Sequence, residues 1–211
     1  MGFTGSSEGH VPGWPALSIQ IDKRHKSCQL DLMSDEMSQD RDAQRRAAIL
    51  QAALECFLQF GYAKTSLDDI ARRANISRPL IYRKFKNKDD IYTAVLEDLF
   101  ERRYPRAEQV LASPGSQRDK LLRVYEILLI EPWDELMGAP MAADLYEVCS
   151  RLFPQVEAKH VRLQLKLTQA ILENKELSEV FMLAVEGLQS DLPTTRVLRR
   201  RLQLLVERFV P

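Results

Sequence analysis

From Asp40 onward the apolar positions recur every three to four residues, the spacing of one face of an α-helix. Ile49, Leu50, Ala53, Leu54, Phe57 and Phe60 form the first stripe, and Gly61 supplies a stop. Ser66 opens a second helix: its hydroxyl can cap the first turn, and Asp69 completes a capping-box pattern. Leu67, Ile70, Ala71 and Ala74 make the inner face of that helix. Asn75-Ile76-Ser77 reads as a turn, because Asn tolerates the left-handed backbone that tight turns need. Ser77 is placed to cap a short third helix with Pro79 in its first turn. A fourth helix begins at Lys88 and is expected to run to about Ala112, with Pro105 as a place for a kink. After the break at Ser113-Pro114-Gly115-Ser116, helices are expected near 117–130, 141–151, 155–173, 176–189 and 194–209. Pro132, Pro140, Pro154 and Pro193 separate them, and no alternating strand of useful length intervenes. The expected fold is all-α, with a three-helix N-terminal domain over 41–88 and a helical C-terminal domain over 89–211.

Residues 1–40 differ from the rest. Gly2, Gly5, Gly9, Gly13, Pro12 and Pro15 crowd the first part, and no helical period follows. This segment is expected to be a largely disordered extension. Met33 and Met37 precede the first strong helix and are candidate natural starts; a mass spectrum of native protein beginning at Met1 would remove that idea.

Composition narrows the chemistry. Apolar residues make up 45% of the 211, enough for a packed core. Cys28, Cys56 and Cys149 are widely spaced without a CxxC pair, which fits a reducing compartment. His10, His25 and His160 are too scattered for a metal site, and no metal or cofactor is expected. No apolar run approaches the roughly 18 residues of a membrane span, and no secretory signal is visible. A soluble cytoplasmic protein is the resulting expectation.

The formal net charge is zero, so any nucleic-acid signal must lie in the distribution of charge. Between Arg72 and Lys88 stand Arg72, Arg73, Arg78, Arg83, Lys84, Lys86 and Lys88, with no acidic residue among them. Such a run neutralises phosphates and releases counterions, although a basic run alone is more often a solvated face. Here it coincides with two short helices joined by a tight turn, the geometry that sets a second helix in the major groove.

Gly61-Tyr62, Thr65-Ser66-Leu67, Asp69-Ile70-Ala71, Ile76-Ser77, Ile81-Tyr82, Phe85 and Lys88 together resemble the N-terminal signature of the TetR family of transcriptional regulators. The resemblance covers Arg45 to about Val95. It departs at Asn75, where the family commonly has Gly, and at Arg78-Pro79-Leu80, where many members carry small residues. It implies a homodimer on a palindromic double-stranded DNA operator, acting as a repressor released by a small-molecule effector. It further implies that Tyr82 meets a phosphate through its hydroxyl, and that Lys88 does so at a helix N-terminus. Thr65 and Ser66 can do likewise, with pure capping as the alternative. Arg78, Leu80 and Lys84 are the candidate base readers, with Pro79 available to a thymine methyl group.

The last two helices resemble the family's dimerisation pair. Val180, Ala184 and Leu188 share one face, and Leu198, Leu202, Leu205 and Phe209 form the matching stripe. An intrachain core face would give the same stripes. Effector pockets in this family lie in the C-terminal domain. Phe100, Tyr104, Tyr125, Trp133, Met137, Met141 and Tyr146 are the candidates to line one, with plain core as the alternative. Cys149 is either a thiol sensor or a small buried hydrophobe. An enzyme has no support: no nucleophile–base pair, paired carboxylates or phosphate loop is present. A regulator without a small-molecule ligand, an activator or a nucleoid organiser, shares the helix-turn-helix and differs only in lacking the pocket.

Overall fold

The computed structural model describes residues 23–210, with side chains from Gln39 onward. The described residues are helical and contain no strand. Helices α1 (Lys23–Phe60), α2 (Leu67–Arg73), α3 (Arg78–Lys84) and α4 (Lys88–Glu101) come first. Next are α5 (Tyr104–Ala112) and α6 (Gln117–Tyr125), then a π-helical turn at Glu126–Ile130 that leads into α7 (Glu131–Leu136). The chain ends with α8 (Ala142–Leu152), α9 (Pro154–Leu172), α10 (Lys175–Gly187) and α11 (Thr195–Phe209). No helix among the described residues is long and apolar enough to cross a membrane.

The chain divides into two compact units, Met1–Ala43 and Gln44–Pro211. In the first, the described residues are helix from Lys23, which departs from the disorder expected through residue 40. Residues 1–22 lie outside the described part. The stretch 23–40 has no Gly or Pro, and residues 39–48 are exposed. The sequence there carries no apolar period to betray a helix.

The second unit holds two hydrophobic cores. The first is built from Ile49, Ala53 and Phe57 of α1, Ile70 of α2, Ile81 of α3, Ile91, Tyr92 and Val95 of α4, and Leu145 and Val148 of α8. The other gathers Ala107, Leu121, Val124, Tyr125, Phe181, Leu198, Leu202 and Val206 from α5, α6, α10 and α11. Phe100 packs against both. Each fully buried side chain of this size contributes about 1.5–3 kcal/mol over its exposed state, which fixes the orientation of these short helices.

Two element boundaries differ from the sequence reading. The fourth helix stops at Glu101 rather than near Ala112, and Pro105 lies in the first turn of a separate helix, α5. Pro132, expected to separate helices, instead sits in the first turn of α7, directly after the π-helical turn at Glu126–Ile130.

Helix α8 is bonded to the end of α1. The Met141 N–H donates to the Leu58 carbonyl at 2.9 Å, and the Tyr62 N–H donates to Asp144 Oδ2 at 2.9 Å. The buried Tyr92 hydroxyl donates to the Leu145 carbonyl, and its ring stacks on Phe153 at 4.8 Å. Gly61 makes this approach possible. Its φ is +80°, and a Cβ there would lie 2.9 Å from Met141 Cε and 3.1 Å from Asp144 Oδ2.

Candidate nucleic-acid interface

Helix α2 begins at a complete capping box. Ser66 Oγ accepts the Asp69 N–H at 3.2 Å, and the Asp69 carboxylate accepts the Ser66 N–H at 3.0 Å. The Ser66 hydroxyl also donates to that carboxylate, and these bonds hold the Asp69 carboxyl below the usual carboxylate range. Ser66 is exposed at this helix start. The turn to α3 is tight: Asn75 takes φ +52°, and the Ile76 N–H reaches the Ala71 carbonyl at 3.0 Å. Asn in place of Gly therefore serves the left-handed position.

Ser77 is the N-cap of α3, but its hydroxyl makes no capping bond. The helix is anchored by Ile81, fully buried, and is followed by buried Phe85, over whose ring Arg46 lies at 5.1 Å. Arg78, Pro79, Tyr82 and Arg83 project from the surface, while Leu80 and Lys84 are half-buried. The Tyr82 side chain is 49% exposed, and its hydroxyl has no partner among the described residues. Arg78 Nε forms an ion pair with Asp68 Oδ1 of α2 at 2.6 Å. Asp68 was not singled out by the sequence reading; ten residues and a turn separate it from Arg78, and no local spacing rule joins them. Arg73 is likewise tied back, to Glu55 at 2.5 Å, while Arg72 stays largely exposed.

Two of the expected phosphate contacts face inward. Thr65 is buried, and its hydroxyl donates to the carbonyls of Gly61 at 2.8 Å and Cys56 at 3.2 Å. Its side chain closes the loop between α1 and α2 instead of reaching solvent. Lys88 does open α4, but its ammonium donates to the Tyr62 carbonyl at 2.7 Å and lies 4.3 Å over the Tyr62 ring. What this position offers outward is backbone in the first turn of α4, capped by Asn87.

The seven candidate pocket residues do not converge. Phe100 and Tyr104 border a shallow cleft with Glu97, Glu101, Val156, Lys159, His160 and Leu163. The others are core. The Tyr125 hydroxyl bonds Thr168 at 2.7 Å, and burial pushes it up to about 12. Trp133 donates to the Pro193 carbonyl at 2.9 Å, and Met137 packs against the second core. Tyr146 packs against the first core, and Met141 lies over Gly61. Bulky apolar residues at helical spacing pack into the two cores here.

The candidate dimer stripes split in the same way. Leu198 and Leu202 are interior, Phe209 meets Phe181 edge-on at 5.1 Å, and Ala184, Leu188 and Leu205 are half-buried. Val180 is 55% exposed, as are Leu183 at 69% on the same helix and Val197 and Leu204 at 42% each on α11. The stripes facing the chain's own core are one position off those facing out. Arg199 and Arg201 are surface residues paired to Glu126 and Asp191. Cys56 and Cys149 are buried, and burial raises the Cys149 thiol to about 11. No group of three His, Cys, Asp or Glu among the described residues is arranged to hold a metal ion.

Residues 49–95 match the family model described as bacterial regulatory proteins, tetR family. The chain is 34% identical over 83 residues to the HTH-type transcriptional activator FasR of Mycolicibacterium smegmatis, covering 39% of this chain and 38% of that protein. It is 35% identical over 91 residues to the HTH-type transcriptional regulator TtgR of Pseudomonas putida, covering 41% and 43% respectively. The matched part thus spans less than half the length of these two relatives. Its fold resembles the crystal structure of a TetR-like transcriptional regulator from Rhodococcus sp. RHA1, with TM-score 0.59 and 25% identity over 78% of this chain and 94% of that one. The helix-turn-helix at α2–α3 lies within the segment that the tetR family model matches, residues 49–95, and the helical remainder resembles that TetR-like structure in fold.

Proposed function

We propose that the protein is a DNA-binding transcriptional regulator that docks α3 in the major groove as a homodimer on a palindromic operator. The observation that carries this reading is the outer face of α3, where Arg78, Pro79, Tyr82 and Arg83 project from a two-helix unit locked by Ile81 and Phe85. Phosphate contacts would come from Ser66 at the α2 start, the Tyr82 hydroxyl and the first turn of α4. Arg78 would read a base edge, with Leu80, Lys84 and Pro79 beside it. One such unit reads few base pairs, and a two-fold mate supplies the second half-site. The mate would cover Val180 and Leu183 on α10 and Val197 and Leu204 on α11, large apolar residues that are exposed on one chain. Occupying an operator represses the gene behind it. A releasing small molecule would enter beside Phe100 and Tyr104, where the cleft touches the residue common to both cores.

The test is selection from a pool of duplexes with a randomised centre, using the full chain. Recovery of a two-fold symmetric sequence, with a dimer by light scattering, is expected. A chain that enriches no sequence would end the reading.

A further inference from the structure

Arg78 does not wait unattended for DNA. It is the first residue of α3, and its Nε sits 2.6 Å from Oδ1 of Asp68, the second residue of α2. The pair is surface-placed, with side-chain exposures of 63% for Arg78 and 41% for Asp68. An exposed pair of this kind adds little to stability, so its value must be sought elsewhere. Asp68 Oδ1 is screened from water, and the Arg78 guanidinium is the cation paired with it. Arg78 is therefore the charge that compensates it.

From this arrangement we infer that Asp68 is a specificity-determining positioning residue, which holds the Arg78 guanidinium for base reading and restrains it from pairing with phosphates at random. The inference rests on the DNA-docking reading above. An Arg that swings to a phosphate must abandon the Asp68 carboxylate that it contacts through Nε, which opposes the swing. An Arg that meets a base edge from its held position keeps Asp68. Contact through Nε is compatible with this, because the guanidinium offers five N–H donors and Asp68 engages one edge of it. Phosphate pairing carries no sequence information, whereas Arg on guanine does. Asp68 thus weakens binding to arbitrary DNA more than binding to the correct site, and widens the ratio between them.

The test uses the full chain with two probes: a duplex pool of random sequence, and the duplex that the wild type enriches from it. Asp68→Asn should bind the random pool about 3- to 10-fold more tightly, with a salt dependence steeper by about one phosphate contact. On the enriched duplex it should gain less, so the ratio of the two affinities falls. Sequences enriched by Asp68→Asn should lose preference at the position that Arg78→Ala also loses. The double variant separates this from simple removal of a negative charge. If Asp68 works through Arg78, then Asp68→Asn changes little once Arg78 is Ala. An equal gain with and without Arg78, or an unchanged ratio, would overturn the inference. A wild type that binds the random pool but enriches nothing would overturn the inference and the operator reading together, leaving only non-specific DNA binding, whereas an unchanged ratio overturns the inference alone. A wild type that binds neither probe would remove both.

Discussion

Gly61 is the position at which a single methyl group should do most harm for its size. Its φ of +80° is a conformation in which an L-residue crowds the following carbonyl, at about 1–2 kcal/mol. The methyl group would also lie 2.9 Å from Met141 Cε and 3.1 Å from Asp144 Oδ2. Overpacking of this kind costs about 1–3 kcal/mol, and the Met terminus can relieve part of it by turning away. Asp144 has less freedom, because its Oδ2 is the acceptor for the Tyr62 N–H. Together the two effects make Gly61→Ala destabilising by about 2–4 kcal/mol. Urea denaturation followed by circular dichroism measures this directly. Adding Met141→Ala should return only the crowding part, apart from the cost of losing the Met side chain measured alone. A Gly61→Ala protein within about 0.5 kcal/mol of the wild type would refute both the backbone argument and the close approach of α8.

Three further outcomes follow from the same structure. Tyr82→Phe should weaken binding to selected and random duplexes by the same factor, about 2- to 10-fold for one lost hydrogen bond, in a fluorescence-anisotropy titration. Leu183→Glu should give monomers in light scattering while the fold keeps its thermal midpoint, whereas Leu202→Ala, interior to one chain, should cost about 2–5 kcal/mol of stability instead. Burial holds the His160 imidazole at about 4, below its free value near 6.5. The unfolded chain therefore takes up this proton first, so the stability His160 secures is complete above about pH 6.5 and is lost as pH falls towards 4. The loss approaches about 3 kcal/mol, and His160→Gln should flatten that limb of the stability–pH curve measured by denaturation.

How far the sequence can be read depends on which physical constraint sets each feature. The helix-turn-helix was legible because local rules build it: the Ser66–Asp69 box, the Asn75 turn and the buried Ile70 and Ile81 each act within a few residues. The failures lie where a side chain's partner is fixed by how the chain folds back on itself, not by the spacing within one helix. Thr65 reads as a helix-start hydroxyl facing DNA, but the chain folds back and offers it the Gly61 and Cys56 carbonyls. Lys88 reads as a phosphate cation, but the Tyr62 carbonyl, 26 residues earlier, takes its ammonium. On α11, periodicity marks a stripe without saying whether the same chain or another one covers it. Leu198 and Leu202 lie inside, while Val197 and Leu204 face out. The helix from Lys23 escaped because its sequence before Asp40 carries no apolar period to mark it.

These long-range contacts also change where movement can enter the DNA-reading part. A single helix running from Lys88 to Ala112 would act as a rigid lever between the two ends of the second unit. The chain instead breaks after Glu101, and Arg103 fills the joint, buried, donating to the Leu99 carbonyl and to Glu135. Helix α8 is meanwhile fastened to α1 and α4 through Met141, Asp144 and Leu145 and shares their core. Helices that share one close-packed core shift together or not at all, because interiors of this density do not deform gradually. The part of α1 from Ile49 onward, α2 to α4 and α8 share one close-packed core, and a second core lies beyond it in the same unit. Phe100, touching both cores, and the Arg103 joint beside it are the places where a change in the second core would be felt by the first.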